Sequence, residues 1–115
     1  MERFLLVIVI TAAGVFADSI LPDKDSNMTS NEGESVTLKC SYDTSSNNVL
    51  LYWYRQYANT EPQYLLWKGA RSNSNYKNIP GSQFDSITSQ TSTELIIKSV
   101  SLSDSALYYC ALRVG

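Results

Sequence analysis

The chemistry open to this chain is bounded by two cysteines, Cys40 and Cys110, and by the complete absence of histidine from its 115 residues. Without histidine, the commonest general base and the commonest metal ligand are both missing. Eleven acidic residues are present, but they are scattered, so neither a carboxylate dyad nor a metal cluster assembles from them. A nucleophilic thiol or hydroxyl would lack its usual base. No catalytic site, metal or cofactor is expected, and the chain reads as a binding protein rather than an enzyme. Nine Lys plus Arg give a net charge of -2 with no basic run, which argues against nucleic acid as a partner.

What the two thiols do depends on where the chain folds. Arg3, the apolar run FLLVIVI, and Val15 and Ala17 have the form of a secretory leader cleaved after Ala17. The run ends at Thr11, short of the roughly twenty apolar residues a membrane span needs. The expected organisation is a signal peptide over 1–17 and one domain over 18–115, since a chain of this length holds one core. Thiols on the secretory route are oxidised, and two cysteines have one connectivity, so a Cys40 to Cys110 disulfide follows. Asn27-Met28-Thr29 is an N-glycosylation sequon, with Asn27 as the acceptor.

The elements that must hold these residues are strands. Over 35–42, Val36, Leu38 and Cys40 share one face while Thr37, Lys39 and Ser41 share the other. Over 51–57, Leu51 and Trp53 oppose Tyr52, Tyr54 and Gln56. Further strands are expected at 63–68, at 84–89 and 93–99 as a hairpin with Leu95 and Ile97 inward, and at 106–112. Nothing after the leader shows helical periodicity. Short alternating strands in about 100 residues, with one disulfide, point to an all-β sandwich.

Cys40 and Trp53 stand thirteen apart, and Tyr108 lies two residues before Cys110 in the run DSALYYC. This constellation resembles an immunoglobulin variable-type domain, a Greek-key β-sandwich with one inter-sheet disulfide. In that family the tryptophan packs on the bridge, the tyrosine hydroxyl pins the preceding corner, and Leu95 belongs to the core. Asp104 can accept backbone N–H bonds at the same corner. WYRQ at 53–56 and the DSALYYC run resemble T-cell receptor alpha or delta variable segments in particular, over 18–114.

The resemblance assigns the face opposite Trp53 and Cys110 to a partner variable domain, through Tyr54, Gln56, Pro62 and Tyr109. Alternation agrees, setting Tyr54 and Gln56 against Trp53, and Tyr109 against Tyr108 and Cys110. Outward tyrosines are also ordinary strand residues, but a glutamine among them suits an interface. The implied partner is a T-cell receptor beta (or gamma) chain. Thr44, Ser45, Ser46, Asn47 and Asn48 fall in the first hypervariable loop. Lys68, Gly69, Ala70, Arg71 and Ser72 fall in the second, with Leu112 and Arg113 entering the third. These loops would meet a peptide-MHC or MHC-like ligand, with Arg71 offering a charged fork. Any one of these residues taken singly reads more readily as part of a plain polar turn, since contacts that carry binding are a minority.

Other implications are a plasma-membrane location on the extracellular side and signalling through associated chains. The Phe-Gly-x-Gly run of a joining segment does not follow Cys110, so a germline-like segment lacking the final strand is expected, with an open edge beside 106–112. Gln83 precedes Phe84 where relatives carry arginine, so Asp104 is expected to lack an ion partner and keep one neutral hydrogen bond. Ala58-Asn59 replaces a Pro-Gly turn, Asn tolerating the left-handed backbone it requires. An innate immune or adhesion receptor and an antibody light chain variable segment are the alternative readings.

Overall fold

Nine strands form among the described residues, which in this computed structural model are 6–12, 18–23 and 28–115. They are β1 (Leu6–Ala12), β2 (Ser19–Pro22), β3 (Val36–Asp43), β4 (Asn48–Gln56), β5 (Gln63–Arg71), β6 (Tyr76–Lys77), β7 (Phe84–Thr88), β8 (Ser92–Ile97) and β9 (Ala106–Val114). A 3-10 turn, Leu102–Asp104, leads into β9.

One sheet has the order β1-β9-β4-β5-β6 and the other β2-β3-β8-β7. Period-two patterning explains how they face each other. β3 buries every second side chain along its whole length, and β8 matches it with Thr93, Leu95 and Ile97. From the opposite layer come Val49, Leu51 and Trp53 of β4 and Tyr108, Cys110 and Leu112 of β9, all almost fully buried. Each large apolar side chain so placed contributes about 1.5–3 kcal/mol. Cys40 on β3 and Cys110 on β9 are bonded, so the expected bridge does join the two sheets.

Two boundaries differ from expectation in a way that matters for function. β4 starts at Asn48 and β5 runs on to Arg71, because Asn48↔Arg71, Val49↔Ala70 and Leu50↔Gly69 extend their ladder. The connecting loops shrink to 44–47 and 72–75. Gly69, Ala70 and Leu112 are buried within these ladders, and Thr44 is buried where the Arg71 guanidinium holds its carbonyl, so the assignment of all four to ligand-contacting loops is corrected: backbone pairing continues past the point where the composition turns polar.

The edge of β9 expected to be open is covered. β1 pairs with it in parallel from Leu6↔Ala106 to Ala12↔Leu112. The run Val7, Ile8, Val9 and Ile10 is strongly strand-forming, and a sheet edge offers unpaired N–H and C=O groups to any such segment. Residues 13–17, with the expected cleavage point, and Asn27 of the sequon lie outside the described residues. No helix among the described residues is long and apolar enough to cross a membrane.

Candidate functional site

Three sets of residues carry what the fold presents: the corner below β9, the outer face of the β9-β4-β5 sheet, and the loops at one end. The corner holds the sandwich together. Tyr108 Oη donates to Asp104 O at 2.7 Å from full burial, and Ser101 N donates to Asp104 Oδ2 at 2.9 Å. Burial pushes the Tyr108 phenol up to about 12 against the opposing pull of Arg55.

Asp104 does have an ion partner, contrary to expectation. Arg55 Nη1 lies 3.4 Å from its Oδ1, while Gln83 Nε2 donates to Oδ2 at 3.3 Å. Asp104 lies 49 residues away in sequence, so no local pattern announced the pair, although the parity of β4 sets Arg55 on the same face as Trp53. At the strand's end its guanidinium reaches sideways, 4.8 Å over the Tyr57 ring and 5.2 Å over that of Phe84. Arg55 Nε is buried without a hydrogen-bond partner, and the two rings offset part of that cost. Trp53 gains a contact that no motif announced: its Nε1 donates to Thr93 Oγ1 at 3.2 Å, joining the sheets next to the disulfide. At the turn after β4, Asn59 adopts φ +59°, as its side chain type allows.

The outer face is a continuous aromatic surface. Tyr52 and Tyr54 stack with ring centroids 6.3 Å apart, Trp67 tilts against Tyr52 at the same distance, and Tyr64 meets Tyr54 edge-on at 6.0 Å. Tyr109 Oη donates to Gln56 Oε1, and Gln56 Nε2 donates to Thr60 O at 2.8 Å. Pro62 is exposed at the margin. Burial raises the phenols of Tyr54 and Tyr64, and the neighbouring Tyr52 raises both further, so these two groups stay neutral at physiological pH.

Tyr64 and Trp67 did not emerge from the sequence as members of this face. They are three residues apart, which period two would place on opposite sides. A bulge in the β4–β5 ladder resolves the conflict: pairing shifts from Trp53↔Leu66 to Tyr54↔Tyr64. Leu65 and Leu66 then both turn inward, and the flanking aromatics both turn outward.

At the loop end, Ser45, Asn47, Asn48, Ser72 and Arg113 are exposed. Ser72 ties the first two loops together, its N and Oγ donating to Asn47 O at 2.8 and 2.7 Å, and Asn73 Nδ2 donates to Asn48 Oδ1 at 2.9 Å. Arg113 Nη1 reaches Tyr52 Oη at 3.5 Å. Two cations expected to face a ligand are turned inward instead. Lys68 Nζ donates to Ser86 O at 2.9 Å and sits 4.9 Å over the Tyr76 ring. The Arg71 guanidinium is bonded to the carbonyls of Thr44, Ser46 and Gln90. Both lie within β5, Lys68 reaching across to β7 and Arg71 to the first loop and the turn between β7 and β8.

A disulfide between sheets, a buried tryptophan beside it and a tyrosine corner before the second cysteine define an immunoglobulin variable-type domain, and the Immunoglobulin V-set domain family matches residues 23–115. Two human relatives are similar over nearly their whole length. T cell receptor alpha variable 18 is 39% identical, covering 94% of this chain and 93% of the relative. T cell receptor alpha variable 3 is 38% identical, covering 95% and 93%. Human T cell receptor alpha variable 14/delta variable 4 is 37% identical over 71% of the chain and 70% of its own length. A chain solved in work on T cell specificity and activation by the bacterial superantigen toxic shock syndrome toxin-1 superposes with TM-score 0.63 at 18% identity, covering 99% of this chain and 84% of that one, which shows the shared fold. The chain belongs to the T-cell receptor alpha variable family of immunoglobulin V-set domains, and is a receptor module rather than an enzyme.

Proposed function

We propose that this chain is the antigen-recognition variable domain of a T-cell receptor alpha (or delta) chain. It pairs with a beta (or gamma) variable domain to bind a peptide-MHC or MHC-like ligand on the extracellular side of the plasma membrane. The observation that carries the reading is the outer face formed by Tyr52, Tyr54, Tyr64, Trp67, Tyr109 and Gln56. Aromatic rings with polar tips are favoured where two proteins meet, and the six side chains named carry no formal charge.

The relatives' names support the receptor class, and the pairing face and the loop end would lie on different sides of the fold. Gln56 would exchange its internal partners for a glutamine across a pseudo-twofold axis. Residues 1–17, β1 among them, would act as a removable leader whose loss leaves the edge of β9 open, and Asn27 would carry a glycan. Signalling would pass through associated chains outside these residues.

The test is co-expression with a T-cell receptor beta chain, reading the amount of assembled heterodimer. Gln56→Ala with Tyr109→Ala is expected to reduce assembly about tenfold or more. Unchanged assembly would remove this face from the pairing surface.

A further inference from the structure

We propose that Arg71 is the positioning residue of the loop end, clamping the first loop, the base of the second and the β7–β8 hairpin into one rigid surface. The inference rests on the reading of that end as ligand-contacting. Arg71 Nη1 donates to Thr44 O at 2.6 Å and to Ser46 O at 2.7 Å. Its Nε and Nη2 both donate to Gln90 O, at 3.1 and 2.7 Å. The guanidinium carbon stands 5.1 Å over the Tyr42 ring, whose hydroxyl donates to Ser89 O at 2.6 Å.

These contacts join segments that the sheets alone leave apart. Arg71 ends β5 in one sheet, whereas residues 89–91 connect strands of the other. Four hydrogen bonds from one planar fork need an arginine, since a lysine ammonium offers its donors from a single atom. Every acceptor is a main-chain carbonyl. The clamp therefore holds backbone position whatever side chains the loops carry, and leaves the exposed Ser45, Asn47 and Gln90 side chains outside it.

The backbone of Arg71 supplies a second, independent sign. Its φ of +60° lies in the left-handed region, uncommon for a residue with a long side chain. Such a conformation persists where the surroundings over-determine it, as the four bonds and the Tyr42 ring do here. This turn ends the β4–β5 ladder and delivers Ser72 to Asn47 O. A surface held in place before contact loses less freedom on binding, which is the function the clamp serves.

Backbone amide hydrogen exchange of the full chain tests this without any ligand or partner, so its outcome is separate from that of the pairing experiment. Arg71→Asn removes the fork while tolerating positive φ. Arg71→Lys keeps the charge and the ring contact. The amides of Ser46, Asn48 and Thr91 are expected to exchange about tenfold faster in Arg71→Asn, with partial restoration in Arg71→Lys, while amides within β3 and at 93–97 of β8 stay within about twofold. Unchanged loop exchange would overturn the proposal, as would equal acceleration of loops and core, which marks general destabilisation. Should Arg71→Asn fail to fold, Arg71→Lys is read alone: roughly threefold faster loop exchange supports the clamp, and none overturns it.

Discussion

Arg55 and Asp104 are 49 residues apart in sequence, yet Nη1 and Oδ1 approach to 3.4 Å with the acid 7% and the base 15% exposed. Asp104 also anchors Ser101 N and Gln83 Nε2, and its carbonyl receives the Tyr108 hydroxyl. One aspartate therefore links β4, the segment before β7 and the corner before β9.

Removing the cation should leave that carboxylate buried without its charge partner. Arg55→Met is expected to lower stability by about 3 kcal/mol, within the range for breaking one side of a buried pair. Adding Asp104→Asn should then cost far less than it does alone. A double-mutant cycle in urea, with a coupling of about 1 kcal/mol or more, is the measurement; strict additivity would mean the pair acts as two independent residues.

Alkaline pH should weaken the corner. The Tyr108 phenol ionises near 10 when unfolded and at about 12 when folded, so the folded state holds the proton more tightly. Stability from this group is complete below pH 10 and is lost as pH rises through 10 to 12, by roughly 2–3 kcal/mol in all. Denaturation midpoints measured across that window should fall more steeply for the native chain than for Tyr108→Phe.

Gly69 is required by close approach. A Cβ there would meet Asn73 O at 2.5 Å and Asn73 Oδ1 at 2.6 Å, across the turn that Gly69 N closes by donating to Asn75 O at 2.7 Å. Gly69→Ala should destabilise by about 1–3 kcal/mol through overpacking. Because the displaced atoms belong to the second loop, nuclear magnetic resonance shifts should change most over 72–75, and a uniform change across the domain would refute this placement.

Reduction of the disulfide should be the largest single loss. Cys40 and Cys110 close a loop of sequence separation 70, for which the chain-entropy account gives on the order of 4 kcal/mol. Comparing chemical denaturation of the oxidised chain with Cys40→Ala/Cys110→Ala checks it, and a difference below about 1 kcal/mol would contradict the account.

Much of the fold is legible from local pattern. A strand's faces are set by its own backbone, so Val36, Leu38 and Cys40 could be assigned inward with no knowledge of their neighbours. The spacing of Cys40, Trp53, Tyr108 and Cys110 was enough to name the family, because those residues meet around one bond. Tyr54, Gln56 and Tyr109 likewise share a face by parity alone.

The rest of the fold depends on how one strand meets another. Tyr64 and Trp67 join the outer face only because the β4–β5 ladder slips between Trp53 and Tyr54. A slip is a property of two strands, and neither carries it alone. Arg55 finds Asp104 across 49 residues of sequence, and Arg71 finds Thr44, Ser46 and Gln90 through a side chain long enough to leave the face that parity assigns it. By itself the sequence determined the sandwich, its bridge and its family, since alternation and cysteine chemistry act locally. The tertiary structure alone decided which polar groups remain free to meet a partner, because hydrogen bonds between distant segments occupy the others first.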